Sequence, residues 1–535
     1  MTHGTPPRVF HFPKITIVIL SLVAERLEDM RLTHKDKNKE SQMSIRQLIL
    51  AVGIFTASAA TAVDDTFPNK DGSGNLLSEA AWDGPVSQNR MKIGTGDTYY
   101  ADPNGTINGI VIGTTSKVVF DQTKSTQEKP FVTMGGSFDI GGAGRKVTFK
   151  GGTYDFQDSY TLTYGGYNSY KNNNVLFDGC VITNVKTLLS MTYNGTDLST
   201  WTLTNNAVLH TKGDLKPDYS GNGKTHLHIT GGSSVWAGGI LKMGARNTGD
   251  KGSVDQKIFV SGKGSRLRFG KSDGGSTLST QFSDILLEAS NGGSIVHSGR
   301  DFTIAAVTTA SNNVVRVRDA GSSASLGTIY YGYNSAASHN RVEALDGSVV
   351  TISTANIKDG LDNGFVCSNA TLTIDNFSQT SATNSYVHVS GDSPHVTLTA
   401  ATASRQDFKR GFRFIVDLPP NGYAYEDAAD CPIKANGQID GLDATTEFEI
   451  NGIEEYQKRM VERRVRKERI KLAYLNSNAY WGQLNNGELK LLDKWNARLP
   501  EGAVLSSPNT AAASDRGRTL YLDLTVKLGL MLIFR

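Results

Sequence analysis

The chain has very few cysteines for its length. Three occur among 535 residues, Cys180, Cys367 and Cys431, and an odd number leaves at least one of them unpaired. They are too few and too scattered for a disulfide framework, and none belongs to a CxxC or zinc-ligand spacing. The sequence therefore argues against a disulfide-stapled domain, and we expect no metal ion or other cofactor.

Charge is scarce as well. Charged residues make up 20% of the chain and the net charge is +3, whereas soluble domains average about 25% charged residues. A chain so close to neutral has no broad attraction to nucleic acid or to acidic membrane surfaces. Glycine is in excess, with 56 residues, and Ser, Thr and Asn are concentrated in the middle of the chain.

No apolar run approaches the ~20 residues that a transmembrane helix requires. The run at 15–24 is too short, and so is a second one at 48–55. The second run belongs to MSIRQLILAVGIFTASAATAVDD, which begins at Met43 and reaches a small-residue A-x-A site at 60–62. A short positive start, an apolar run and that site are typical of a secretory signal peptide.

These features predict where the mature chain begins. We expect residues 1–42 to be an extension upstream of the true start, residues 43–62 to be the signal peptide, and the mature chain to begin near Val63. Export to the extracellular space or the cell surface is the resulting expectation. A cytosolic protein with an incidental apolar segment is the alternative.

A repeat runs through the middle of the chain. HLHITGGSSVWA, KIFVSGKGSRLRFG, NRVEALDGSVVTI and YVHVSGDSPHVTL each join two alternating strands through a tight turn. One residue anchors each turn, either Gly or Asn, the types that tolerate a left-handed backbone. The anchors are spaced 22 to 32 residues apart, at Gly152, Gly179, Asn206, Gly232, Gly264, Gly293, Gly321, Gly347, Asn369 and Gly391.

The period predicts the fold class. The residue after the anchor is small in nine repeats, which indicates a tight slot stacked on its neighbours; Cys180 occupies one such slot and is predicted to be structural. A second polar turn recurs between the anchors, so each repeat holds about three short strands and no helix. We therefore predict an all-β parallel β-helix, or solenoid, with rungs of about 22–32 residues.

At this level the chain resembles a known group of proteins. Gly-Ser-anchored repeats behind a signal peptide, over roughly residues 100–400, are similar to the right-handed parallel β-helices of bacterial surface proteins and to autotransporter passenger repeats. The resemblance implies a cell-surface binding or structural role. The pectin-lyase-like enzymes share the fold class, so the fold alone does not select a function.

The expected organisation follows from where the repeat begins and ends. Residues 63–100 form an N-terminal lead-in, 101–403 the β-helix, and 404–535 a small mixed α/β C-terminal cap. The segment 453–474, IEEYQKRMVERRVRKERIKLAY, is predicted to be one helix of the cap. Its basic run, 463–469, is interpreted as a solvated face, with nucleic-acid or acidic-glycan contact as alternatives.

Sequence motifs for carbohydrate cleavage are largely missing. Of four polygalacturonase-type motifs only Arg-Ile-Lys occurs, at 469–471, and we place it on the predicted helix. His226 and His228 share one face of a strand but have no evident third metal ligand. NKDGSGN, 69–75, resembles a calcium loop but has Ala80 where a bidentate Glu is required. We therefore predict no catalytic residues.

Tyrosines collect in the second turn. Their stacking would form an aromatic ridge suited to sugar or protein surfaces, with purely structural stacking as the alternative. The candidate ligand-binding residues are Tyr164, Tyr167, Tyr330, Tyr331 and Tyr333. We expect a surface or matrix protein that binds glycans or surface proteins, of the adhesin type. The alternative is a polysaccharide lyase or glycoside hydrolase.

Overall fold

The structure is a computed structural model. It describes residues 65–66, 74–78, 90–93, 98–107, 110–112, 117–134, 138–139, 144–157, 161–162, 173–189, 198–217, 224–244, 255–279, 283–306, 310–332, 337–400, 408, 410–425, 427, 430–437, 442–475, 490–507 and 519–528. The upstream extension and the signal peptide predicted for residues 1–62 lie outside the described residues.

Short strands dominate the first half of the chain. In order they are β1 (Asp65–Thr66), β2 (Arg90–Ile93), β3 (Thr98–Tyr99), β4 (Gly105–Ile107), β5 (Ile110–Ile112), β6 (Lys117–Asp121), β7 (Phe131–Met134), β8 (Phe138–Asp139), β9 (Lys146–Lys150), β10 (Thr153–Asp155), β11 (Thr161–Leu162), β12 (Asn174–Asp178), β13 (Val181–Val185), β14 (Thr187–Leu189), β15 (Leu198–Thr204), β16 (Val208–Thr211), β17 (Leu215–Lys216), β18 (Lys224–Ile229), β19 (Ser234–Ala237) and β20 (Asp255–Ser261).

The second half continues in the same way and, among the described residues, adds two α-helices. The elements are β21 (Arg266–Phe269), β22 (Gly275–Ser279), β23 (Leu286–Ser290), β24 (Ser294–His297), β25 (Asp301–Ala305), β26 (Val314–Val317), β27 (Ser323–Tyr331), β28 (Arg341–Leu345), β29 (Val349–Ile357), β30 (Gly364–Ser368), β31 (Thr371–Ile374), β32 (Phe377–Gln379), β33 (Tyr386–Ser390), β34 (His395–Ala400), β35 (Arg413–Asp417), β36 (Ile433–Gly437), β37 (Glu447–Asn451), α1 (Ile453–Glu462), β38 (Lys467–Leu475), α2 (Leu491–Asn496), β39 (Ala503–Ser506) and β40 (Thr519–Thr525).

Strands one rung apart pair in parallel and form two long sheets. Sheet 1 has 14 strands in the order β3-β6-β9-β12-β15-β18-β20-β23-β26-β28-β30-β33-β35-β37. Sheet 2 takes the strand that follows each sheet 1 strand, as in β16-β19-β21-β24-β27-β29-β31-β34-β36. A third run, β22-β25-β27-β29-β32, lies beyond it in the same rungs. The predicted parallel β-helix is confirmed.

Alternation within each strand builds the core. In β18, KTHLHI, every second residue is buried, because successive side chains of a strand point to opposite faces. The inward residues of successive sheet 1 strands stack directly: Phe120, Phe149, Phe177 and Trp201 have neighbouring ring centroids 5.2, 5.4 and 5.6 Å apart. The core is therefore a continuous apolar column inside the rungs.

The predicted anchors lie in the turn from sheet 1 to sheet 2, with two corrections of register. Thr153 pairs with Val181, so the residue equivalent to Gly179 is Gly151 and not Gly152. In the rung of Gly293, Arg266 pairs with Ser294, so the residue equivalent to Gly264 is Gly292, whose φ is 86°. Gly293 needs glycine for another reason, since a Cβ there would lie 2.1 Å from the carbonyl oxygen of Val260.

The small slot after the anchor has a hydrogen-bonding role. The hydroxyl of Ser233 accepts from the backbone N–H of Ala207, 3.0 Å away in the preceding rung. Ser322 accepts from Gly292 N–H at 2.9 Å in the same manner. Serine therefore fills the slot and also ties one rung to the next. Cys180 fills an equivalent slot and is completely buried, as its predicted structural role requires.

The helix predicted over 453–474 is wrong in its second half. Helix α1 ends at Glu462, and Arg464 then takes a left-handed backbone with φ of 58°. The alternating sequence KERIKLAYL forms β38 instead, because it adds to sheet 2 beside β36 and buries Ile470 and Leu472. The Arg-Ile-Lys triplet at 469–471 therefore lies on a strand, where Arg469 binds Asp523 at 2.5 Å.

Parallel stacking also continues beyond the predicted boundary at 403. Strands β35 and β37 extend sheet 1 as far as Asn451. The last rung is then covered by α2, whose Trp495 Nε1 donates to the carbonyl of Thr446 at 3.0 Å. Antiparallel β40 covers β38 and pairs with β39. Within the described ranges, no helix combines the length and apolarity needed to cross a bilayer.

Candidate binding faces of the solenoid

The outer face of sheet 1 carries a ladder of paired charges. Glu288, Arg316 and Glu343 lie opposite one another in successive strands. Arg316 Nε is 2.5 Å from Glu343 and its Nη1 is 3.5 Å from Glu288. Arg341 binds the second oxygen of Glu343 at 2.5 Å, and Arg318 binds the second oxygen of Glu288 at 3.1 Å.

The two glutamates of this ladder are nearly covered. Glu288 is 5% exposed and Glu343 is 6% exposed, so their charges depend on the surrounding guanidinium groups. Burial opposes the charge on Arg316, but its bonds to Glu343 and Glu288 outweigh burial and raise the pKa of Arg316. Both oxygens of each glutamate are engaged, whereas a general acid must be free to reach a substrate.

The ladder continues toward the C-terminal end with aromatic and histidine contacts. The Arg413 guanidinium lies over the ring of Tyr386, 5.8 Å from its centroid. Burial raises the pKa of Tyr386. His388 Nε2 lies 2.7 Å from the Asp417 carboxylate. Each of these polar groups therefore has a partner within the same face.

The two histidines of THLHIT share one face of β18, as predicted, and this is the outer face of sheet 1. His226 Nε2 is 3.2 Å from the carboxylate of Asp255, which also binds Lys257 at 3.0 Å. His228 stacks on Phe259 with centroids 5.0 Å apart, and burial, followed by the nearby His226, lowers the pKa of His228. Among the described residues, no group of three His, Cys, Asp or Glu side chains is placed to hold a metal ion.

The structure separates the predicted tyrosines. Tyr331 points inward, is 0% exposed, and donates its hydroxyl to the carbonyl of Gly364 at 3.0 Å. Its prediction as a ligand-binding residue is therefore wrong: adjacent strand residues face opposite sides, and Tyr330 takes the outward position. Tyr330 is half-buried beside Lys358, whose Nζ is 4.9 Å from the ring centroid. Tyr164, Tyr167 and Tyr333 lie outside the described residues.

A buried polar column precedes the sheet 1 strands, and the sequence patterns above did not reveal it. Asn313, Asn340 and Asn363 are 0% exposed and occupy the same position in three successive rungs. Asn340 Oδ1 accepts from the backbone N–H of Asn313 at 2.9 Å, and Asn363 Oδ1 accepts from that of Asn340 at 3.0 Å. The sequence does contain a signal for this column, since an Asn stands directly before each of these three sheet 1 strands and recurs once per rung.

Sheet 2 presents an exposed indole ring. Trp236 is 47% exposed. The ring of His210 in the preceding rung stacks on it, 4.5 Å away with an interplanar angle of 13°. The guanidinium of Arg268 in the following rung lies 5.1 Å from its centroid. Both faces of the indole are therefore covered by neighbours, and its edge meets solvent.

The buried cysteines offer no reactive centre. Burial raises the pKa of both Cys180 and Cys367 to about 12, so at neutral pH their thiols are protonated and poorly nucleophilic. Burial likewise raises the pKa of Cys431.

Comparisons of the chain with protein-family models, with curated proteins and with solved structures found no match. The indications of its function therefore come from its own residues.

Proposed function

We propose that this chain is an exported bacterial surface or matrix protein. Its β-helix binds glycans or surface proteins and does not cleave polysaccharides. The observation that carries the proposal is that the two nearly buried glutamates on the outer face of sheet 1 are fully paired with arginines. Glu288 and Glu343 are fully engaged by Arg316, Arg318 and Arg341, so these acidic groups hold the face together. A hydrolase of this fold class needs a pair of carboxylates that can meet the glycosidic bond.

The regularity of the rungs supports the same proposal. Serine slots, asparagine bonds and aromatic stacks tie each rung to the next, which gives long, rigid faces on which side chains repeat at ~4.8 Å. Rigid faces of this kind suit extended ligands, because little ordering is lost on binding. The signal-peptide pattern at 43–62 supports export, and the Gly-Ser-anchored repeats support a surface location.

Two measurements test this proposal. The exported chain is incubated with acidic and neutral polysaccharides, and new reducing ends and unsaturated products are measured; we expect neither. Turnover of any polysaccharide that is abolished by Glu343→Gln or Glu288→Gln would favour the lyase or hydrolase instead. N-terminal sequencing of the exported material should give Val63 or a near neighbour, and material that begins at Met1 would contradict export by this signal.

A further inference from the structure

Strand β21 and the turn before it carry three exposed cations. Lys263, Arg266 and Arg268 are exposed, and Arg266 and Arg268 stand two residues apart on the outer face of sheet 2, separated by ~7 Å along the strand. Within the described part of the chain, none of the three has a salt bridge to a carboxylate. We refer to these three residues as the cationic patch.

The surroundings of the patch differ from those of the arginines in the charge ladder of sheet 1. Strands β16, β19, β21, β24, β27 and β29 contain no Asp or Glu. In register, Arg266 lies between Ser234 and Ser294, while Arg268 lies between Trp236 and Val296. Serine hydroxyl groups therefore flank Arg266, whereas an indole and an aliphatic side chain flank Arg268, and no acid lies in these strands. On sheet 1, by contrast, Arg316 and Arg341 form ion pairs with Glu343.

We propose that the cationic patch binds a polysaccharide that carries carboxylates, that is, a uronate polymer. A guanidinium group pairs with a carboxylate through two parallel hydrogen bonds, because its planar set of N–H donors matches the two carboxylate oxygens. A lysine ammonium group acts as a point charge and lacks this match. Serine hydroxyls at flanking positions can donate to and accept from sugar hydroxyls. This inference rests on the proposed binding function and names its ligand class.

The aromatic neighbour argues for a glycan over a nucleic acid. Single-stranded nucleic acids bind through open aromatic faces on which bases stack. The faces of Trp236 are already occupied by His210 and by Arg268, so no platform for a base is left. Instead the indole holds the Arg268 guanidinium in place through a cation–π contact, which presents its charge in a fixed position.

The test measures binding of a galacturonate hexamer to the full exported chain by calorimetry at low salt. Maltohexaose serves as the neutral probe and a thymidine oligonucleotide as the other anion. The variant Arg266→Glu/Arg268→Glu reverses two charges in the patch. The matched control, Lys117→Glu/Lys146→Glu, reverses two exposed charges on sheet 1, and circular dichroism confirms that both variants fold.

We expect the hexamer to bind, maltohexaose not to bind, and affinity to fall with salt because the patch is exposed. The patch variant should lose at least about tenfold in affinity, and the control variant less than about twofold. Arg266→Lys/Arg268→Lys should recover only part of the loss, because an ammonium lacks the planar fork.

Three results would overturn the assignment. They are absence of hexamer binding by the unaltered chain, equal losses in the patch and control variants, or preference for the oligonucleotide at the same ionic strength. None of these bears on whether the chain cleaves polysaccharides. That question is answered by the product assay alone, so failure of the patch and failure of the proposed function can be told apart.

Discussion

At the scale of single residues, His297 is a buried titratable group within the described part of the chain. It is 4% exposed, and its ring packs against the rings of both Phe269 and Phe302, at centroid distances of 5.2 and 5.4 Å. Neither ring nitrogen has a hydrogen-bond partner in the described structure. Burial lowers the pKa of His297 from 6.5 to about 4, because the charged ring has no water around it.

This histidine predicts acid sensitivity. The unfolded chain binds a proton near pH 6.5 and the folded chain only near pH 4, so stability is lost as pH falls through this window and the loss levels off below it. The full loss is about 3 kcal/mol. Urea unfolding from pH 8 to pH 4 should show that His297→Leu removes this part of the slope. The exposed His339→Gln should keep it, and an unchanged slope in His297→Leu would contradict the assignment.

The neighbouring tyrosines 330 and 331 predict opposite effects on stability. Tyr331→Ala removes a ring packed 5.6 Å from that of Phe365 and should cost about 3–5 kcal/mol. Tyr330→Ala, on the outward side, should cost less than about 1 kcal/mol. Thermal or urea unfolding of both variants measures the difference. Equal losses in the two variants would contradict the assignment of Tyr331 to the inward position and of Tyr330 to the outward position.

At the scale of elements, the asparagine column fixes the register of the rungs. Asn340 accepts from Asn313 and donates through Nδ2 to Asn363 Oδ1 at 3.1 Å and to the Ser338 carbonyl at 2.9 Å. Such bonds form only when the rungs are aligned, and each buried group that loses its partner carries a desolvation cost. The column therefore selects one stacking of the rungs over a shifted one.

Removing the central asparagine should be costly. Asn340→Leu keeps the approximate volume but strands the buried donors and acceptors of the adjoining rungs, with a loss of about 2–4 kcal/mol. Ser325→Ala, on the exposed face of sheet 2, should change stability by less than about 0.5 kcal/mol. Urea unfolding compares the two variants. A loss below 1 kcal/mol in Asn340→Leu would show that the column adds little.

Much of the element pattern could be predicted from sequence, and its failures share one physical cause. The period, the Gly or Asn anchors and the small residues after them are local requirements of each rung. They can therefore be recognised in the amino-acid sequence. The prediction fails in the second half of helix 453–474 because KERIKLAYL suits a helix locally, while sheet 2 offers it a buried strand position. The inward turn of Tyr331 and the Glu288–Arg316–Glu343 ladder depend on register, which appears only when the repeats are aligned face by face.

At the scale of the whole molecule, the C-terminal end must cover open strand edges. The last strand of sheet 1, β37, is covered through Trp495 and through Lys494 and Arg498, which bind Glu447. Sheet 2 continues from β38 into the antiparallel strands β40 and β39, and not into another parallel rung. Uncovered edges present rows of free N–H and C=O groups that pair with other chains. The cap therefore protects the solenoid from growing by association.

Removal of the cap should convert the chain to assemblies. A chain that stops after Asn451 bares β36 and β37 together with the ring of Phe448, and edge pairing between copies then becomes favourable. Light scattering after size-exclusion chromatography should show a larger mass than for the full chain at the same concentration. The control is Trp495→Ala in the full chain, which loosens α2 but leaves β38 and β40 paired over sheet 2, and which should associate much less. The prediction would be contradicted if the truncated chain kept the oligomeric state of the full chain and unfolded in one cooperative step. The last rung would then resist edge pairing without the cap, and the cap would serve another purpose.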